Sequence, residues 1–120
     1  MLDIKNMSAK EVLNIRNSYI ERLDRLEEMI KAYLTESDSK LGEDIEEEYA
    51  KLKEEITQEA KFLEREKNEL LAISQEHNGF VWGIREASAC GFDVPDRSPI
   101  NQNMLFSVKE ARYRMNKCFE

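Results

Sequence analysis

The sequence predicts an all-α fold: a long antiparallel helical hairpin, similar to a coiled coil, followed by a C-terminal helix. Three observations support this class. Charged residues make up 36 % of the 120-residue chain, which suits an elongated helical protein with a large surface. Apolar residues recur at spacings of three and four. Clusters of small polar residues, glycine and proline interrupt that pattern at two places. By its length the chain is expected to form one domain, residues 1–120.

The first helix is predicted over about residues 8–36. Ser8 and Glu11 have the spacing of a capping box, in which each side chain binds the backbone amide of the other residue. Glu27 and Lys31 form a favourable pair four residues apart on the predicted solvent face. One apolar stripe follows the helical period and consists of Val12, Ile15, Tyr19, Leu23, Leu26, Ile30 and Tyr33.

The second helix is predicted over about residues 43–90, after a connection within residues 35–44 that contains Gly42. A short connection between two apolar stripes predicts an antiparallel hairpin. Asn78-Gly79 is a poor pair in a helix, so we expect a bend or a brief interruption there. Two heptad rows nevertheless continue across it in one register. They are Tyr49, Ile56, Leu63, Leu70, His77 and Ile84, and Ile45, Leu52, Glu59, Glu66, Ile73, Phe80 and Ala87.

The third helix is predicted over about residues 99–118. Gly91 suits the left-handed residue that follows a helix, and Pro95 prevents the second helix from resuming. Ser98 is the expected cap and Pro99 the first helical residue. Its apolar stripe consists of Ile100, Met104, Val108, Ala111, Met115 and Cys118.

The acidic charge is concentrated in the first two thirds of the chain. Residues 1–78 carry 20 acidic and 12 basic side chains, whereas residues 79–120 carry five and six. The acidic part should repel nucleic acid and anionic membranes, because phosphate binding depends on lysine and arginine. The longest apolar run is residues 70–73, far shorter than the roughly 20 residues of a membrane span. We therefore expect a cytoplasmic protein without a membrane segment.

No enzyme active site, metal site or cofactor site is predicted. His77 is the only histidine and lies on an apolar row, so a core histidine is favoured over a metal ligand. Cys90 has no adjacent basic residue that would lower its pKa. Gly79 and Gly83 do not follow a strand, so they do not form a phosphate loop.

The candidate site consists of aromatic side chains that fall off the apolar stripes. Trp82 lies about 160° from Ile84 around the helix, and Phe106 and Tyr113 lie opposite the stripe of the third helix. One interpretation is that the third helix folds back and covers Trp82 with Phe106 and Tyr113. The other is that these residues bind a second copy or another protein. The candidate partner-binding residues are Trp82, Arg85, Phe92, Phe106 and Tyr113.

The sequence therefore predicts a small acidic protein-binding module, such as an adaptor, a chaperone, an anti-factor or an assembly subunit. Because a two-helix seam alone buries little apolar surface, we expect a homodimer that resembles a four-helix bundle. The alternative is a small dimeric nucleic-acid-associated regulator whose C-terminal helix contacts phosphate. Its candidate phosphate contacts are Lys109, Arg112, Arg114 and Lys117.

Overall fold

The protein is an all-α helical bundle, as the sequence predicts. The computed structural model describes residues 3–90 and 100–117, and no strand occurs in these two ranges. A 3₁₀ turn at Ile4–Asn6 precedes four helices: α1 (Ala9–Glu36), α2 (Ser39–Leu71), α3 (Gln75–Cys90) and α4 (Gln102–Lys117). Among the described residues, no helix is both long and apolar enough to span a membrane.

The predicted capping box begins α1. The Ser8 hydroxyl accepts a hydrogen bond from the Glu11 amide at 3.2 Å, and the Glu11 carboxylate accepts one from the Ser8 amide at 3.3 Å. The connection to α2 is shorter than predicted. It consists of Ser37, which has a positive φ of 52°, and Asp38, whose carboxylate accepts a hydrogen bond from the Lys40 amide at 2.9 Å.

Gly42 is part of α2 and not part of the connection, contrary to the prediction. A Cβ atom at Gly42 would lie 2.9 Å from Cε2 of the Tyr33 ring in α1. The glycine therefore leaves room for the Tyr33 ring to lie against α2. Because Asp38 supplies a cap, α2 begins at Ser39 and not near residue 43.

The predicted continuous helix over residues 43–90 is two helices. α2 ends at Leu71, and α3 begins at Gln75, where the Ser74 hydroxyl accepts a hydrogen bond from the His77 amide at 3.1 Å. The predicted bend at Asn78-Gly79 was wrong, because both residues lie inside α3. No glycine among the described residues has a positive φ.

The chain reverses direction between α2 and α3. A straight helix over residues 43–90 would be about 72 Å long, whereas the longest dimension of the described part is 47 Å. Arg85 of α3 pairs with Glu64 of α2 at 2.7 Å, so the two helices are antiparallel neighbours. The heptad rows concealed the reversal because both helices bury the same rows in one core. In the rows, Ile73 in the turn is exposed and Glu66 is half-buried, whereas the other members are buried.

The helix α4 packs across α1 and α3. It begins at Gln102, later than the sequence predicts, and the Asn101 side chain accepts hydrogen bonds from the amides of residues 103 and 104. At its other end, Met115 packs against Gly83 of α3. Glu27 was predicted on the solvent face, but α4 covers it and pairs it with Arg112 at 2.8 Å.

Some predicted features lie outside the described residues. They are the end of the second helix at Gly91 and Pro95, the cap at Ser98 and Pro99, and the last stripe residue, Cys118. Within the described ranges, one apolar stripe from each helix forms the core, and Ile4 closes one end. One chain therefore supplies all four helices of the bundle. The largest fully buried side chains are Tyr49, Phe80, Ile4, Leu23, Leu26, Ile30, Ile45, Leu52, Ile56, Leu63, Leu70 and Ile84.

Candidate interaction surfaces

Trp82 lies on the outer face of α3 and is 41 % exposed. The opposite face of α3 is buried in the core through Phe80 and Ile84, so the helical period directs Trp82 outwards. The Arg85 guanidinium lies 4.6 Å from the centre of the Trp82 ring, within the range of a cation–π interaction. Because Glu64 also binds Arg85, the arginine and the indole are held in place.

An open cavity of about 380 Å³ lies beside Trp82, between α2 and α3. Small side chains at Ala60, Ser88 and Ala89 leave this space, and we call its lining the groove surface. Its members are Thr57, Ala60, Lys61, Glu64, Trp82, Arg85, Glu86, Ser88 and Ala89.

A second open cavity of about 360 Å³ continues along α2. It shares Thr57 and Lys61 with the groove surface, so the two cavities form one groove beside α2. The second cavity is lined by Ala50, Lys53, Glu54, Thr57, Gln58 and Lys61.

The other exposed aromatic residues lie on α4. Phe106 is 65 % exposed and Tyr113 is 56 % exposed. They are seven residues apart and therefore share one face, which we call the α4 surface. The opposite face packs into the core through Met104 and Met115. The interpretation in which Phe106 and Tyr113 cover Trp82 was therefore wrong, because all three side chains remain exposed.

A band of ion pairs separates the two surfaces. Arg114 of α4 binds Glu86 of α3 at 2.8 Å and Glu110 of α4 at 3.0 Å. Glu86 lies one turn from Trp82, and Glu110 lies one turn from Phe106. The structure thus brings Trp82 together with Arg85, and Phe106 together with Tyr113, on two neighbouring surfaces. The fifth predicted residue, Phe92, lies outside the described residues.

The predicted phosphate contacts differ in their availability. Arg112 binds Glu27 and lies 3.8 Å from Asp24, and Arg114 binds two glutamates. Phosphate would have to compete with these carboxylates for the same guanidinium donors. Lys109 and Lys117 are exposed, and the Lys117 ammonium lies 5.8 Å from the centre of the Tyr113 ring.

His77 joins the N-terminal segment to the beginning of α3. Nε2 of its buried ring lies 3.1 Å from the backbone carbonyl oxygens of Ile4 and Met7. Since carbonyl oxygens only accept hydrogen bonds, Nε2 donates to them, and Nδ1 accepts from the Ser74 hydroxyl at 2.6 Å in the neutral ring. Both ring nitrogens therefore serve the fold. Among the described residues, no group of three histidine, cysteine or acidic side chains is placed to hold a metal ion.

The sequence analysis missed the α2 side of the groove surface, which includes Thr57, Lys61 and Glu64. These residues approach Trp82 only because the chain reverses at residues 72–74. A helix-start signal was present: Ser74 is a favourable cap, and Glu76 lies in the first turn of α3. The unbroken heptad register outweighed that signal in the prediction.

Comparison of the chain with protein-family models, with curated proteins and with solved structures finds no match. The geometry of the described residues is therefore the basis for the function proposed below.

Proposed function

We propose that the protein is a protein-binding module, of the adaptor, chaperone, anti-factor or assembly-subunit kind. The observation that carries this proposal is the exposure of three large aromatic side chains, Trp82, Phe106 and Tyr113. Aromatic residues and arginine contribute most of the binding energy in many protein interfaces. An exposed apolar patch is also a usual mark of an interaction site.

The rigidity of the two surfaces supports the proposal. Each aromatic residue lies on a helix whose opposite face is buried in the core, and Arg85 is bound by both Trp82 and Glu64. The backbone that carries each ring is therefore fixed before a partner binds, which lowers the entropic cost of association. The ion pairs around Arg114 supply a polar border between the two surfaces, similar to the polar rim of known interfaces.

The charges favour a protein partner over nucleic acid. The chain has a net charge of -7, and the two arginines predicted to contact phosphate are already paired with carboxylates. Long-range repulsion would oppose the approach of a polyanion. A protein partner that presents small apolar pockets at the spacing of the exposed rings fits these surfaces better than a polyanion does.

The proposal is tested by affinity capture from an extract with tagged variants. Trp82→Ala, or Phe106→Ala combined with Tyr113→Ala, should lose a protein that the wild-type chain retains after nuclease treatment. Ile73→Ala is the matched control, because Ile73 is also a large exposed apolar residue, at 46 % exposure, but lies in the turn between α2 and α3. Circular dichroism verifies that each variant is folded. If all variants retain the same proteins as the wild type, the proposal is wrong.

A further inference from the structure

The outward face of α2 carries a stripe of exposed residues whose charge changes sign along the helix. The stripe lies opposite the core, at every third or fourth position. Its N-terminal half is acidic, its C-terminal half is basic, and the uncharged Gln58 lies between them. We call this set the α2 stripe: Glu43, Glu47, Ala50, Glu54, Gln58, Lys61, Arg65 and Asn68, all of which are exposed.

The α2 stripe is complementary to itself when one copy is reversed. Reversal about Gln58 places Glu54 of one copy beside Lys61 of the other, and Glu47 within about one turn of Arg65. Each pair occurs twice, because a twofold contact uses the same residues on both copies. A parallel arrangement would instead place like charges opposite one another. Within the described residues, neither Lys61 nor Arg65 forms an ion pair inside the chain, so both are available.

The same twofold reversal brings Trp82 of each copy to a cavity on the other copy. The cavity beside Trp82 lies along residues 57–64 of α2, and the second cavity begins at Ala50, about two turns before Thr57. Reversal about Gln58 exchanges these two stretches of α2. The indole of each copy therefore faces the second cavity of the other copy, where the small side chains of Ala50 and Thr57 leave about 360 Å³ open.

We propose that the α2 stripe and the groove surface together bind a second copy of this chain, antiparallel along α2 about a twofold axis near Gln58. This inference rests on the proposed role of Trp82 in protein binding and identifies the partner of that surface. The α4 surface lies beyond the ion pairs of Arg114 and remains open in the dimer. The net charge of -7 on each copy opposes association in general. The paired opposite charges of the α2 stripe offset that repulsion in this register, so electrostatic complementarity selects it.

Light scattering after gel filtration, from micromolar to millimolar concentration at low salt, tests the arrangement. The wild type should approach twice the monomer mass of 14.1 kDa. Lys61→Glu places two pairs of like charges in the contact and should raise the dimer Kd by about tenfold or more. The charge-swap variant, Lys61→Glu with Glu54→Lys, should restore the wild-type Kd. Lys10→Glu makes the same change in charge at an exposed residue of α1 and should leave the Kd unchanged.

Three results would overturn this inference: a wild type that stays at the monomer mass throughout, a charge-swap variant that does not recover dimerisation, or Lys10→Glu acting as strongly as Lys61→Glu. Trp82→Ala should also weaken the dimer by about tenfold, and an unchanged Kd would contradict the position of the indole. A monomeric wild type that still loses another protein partner through Trp82→Ala would refute the second copy and leave the proposed function standing.

Discussion

The contact between α3 and α4 at Gly83 makes a quantitative prediction about stability. Replacement of an interior helical glycine by alanine stabilises a helix by about 1 kcal/mol when space is available. In Gly83→Ala, the new Cβ would lie 3.3 Å from the backbone carbonyl oxygen of Met115 and 3.5 Å from its Cα. Backbone cannot rotate away, so α4 must shift, and overpacking of this kind costs about 1–3 kcal/mol. We expect a net loss of about 1 kcal/mol.

Gly42→Ala is the matched control, because the same substitution meets a movable side chain. Its Cβ would lie 2.9 Å from the Tyr33 ring, which is only half-buried and can turn towards solvent. We expect a gain of about 0.5 kcal/mol from the helical preference of alanine. Urea unfolding followed by circular dichroism at 222 nm measures both free energies of unfolding. Equal stabilisation by both substitutions would show that α4 does not press on α3 at Gly83.

Three further predictions concern buried polar groups. His77→Ala should cost about 2–4 kcal/mol and speed hydrogen exchange at residues 3–8, which the ring holds through two carbonyls; unchanged exchange would contradict this role. Burial, followed by the carboxylates of Glu59 and Glu55, raises the pKa of Tyr19 to about 12. The buried neutral phenol of Tyr19 therefore contributes fully to stability below pH 10, and this contribution falls as the pH rises from 10 to 12. Phenolate absorbance should show one tyrosine ionising late, and Tyr19→Phe should remove that step. Asn78→Ala should stabilise the protein by about 0.5–1 kcal/mol in calorimetry, because its side-chain oxygen is buried without a hydrogen-bond partner among the described residues; a loss would indicate that α3 is not helical there.

Features that depend on neighbours in sequence were predictable. The capping box of Ser8 and Glu11 involves only residues within one turn, and it begins α1 where the pattern predicts. The outward positions of Trp82, Phe106 and Tyr113 follow from the helical period alone, and all three are exposed. Such features need no knowledge of which helix packs on which.

Features that depend on the direction of the chain were not predictable from the heptad rows of apolar residues. A heptad row reports which side of a helix is buried, and both α2 and α3 bury the same rows in one core. The reversal at Ile73 therefore leaves almost no trace in the apolar pattern. Glu27 illustrates the same limit, because its burial depends on α4 and on Arg112, which lies 85 residues away. The groove surface was missed for this reason, since its α2 side exists only after the reversal.

The central claim, that Trp82 is a half-exposed side chain that becomes covered by a protein, is tested most directly by its own fluorescence. Trp82 is the only tryptophan in the chain, so the signal has a single source. Acrylamide should quench its emission readily in dilute protein, and the quenching should decrease, with a shift to shorter wavelength, as the concentration rises or a captured partner is added. An indole that is equally shielded at every dilution, or one that stays equally accessible when the chain associates, would contradict the claim.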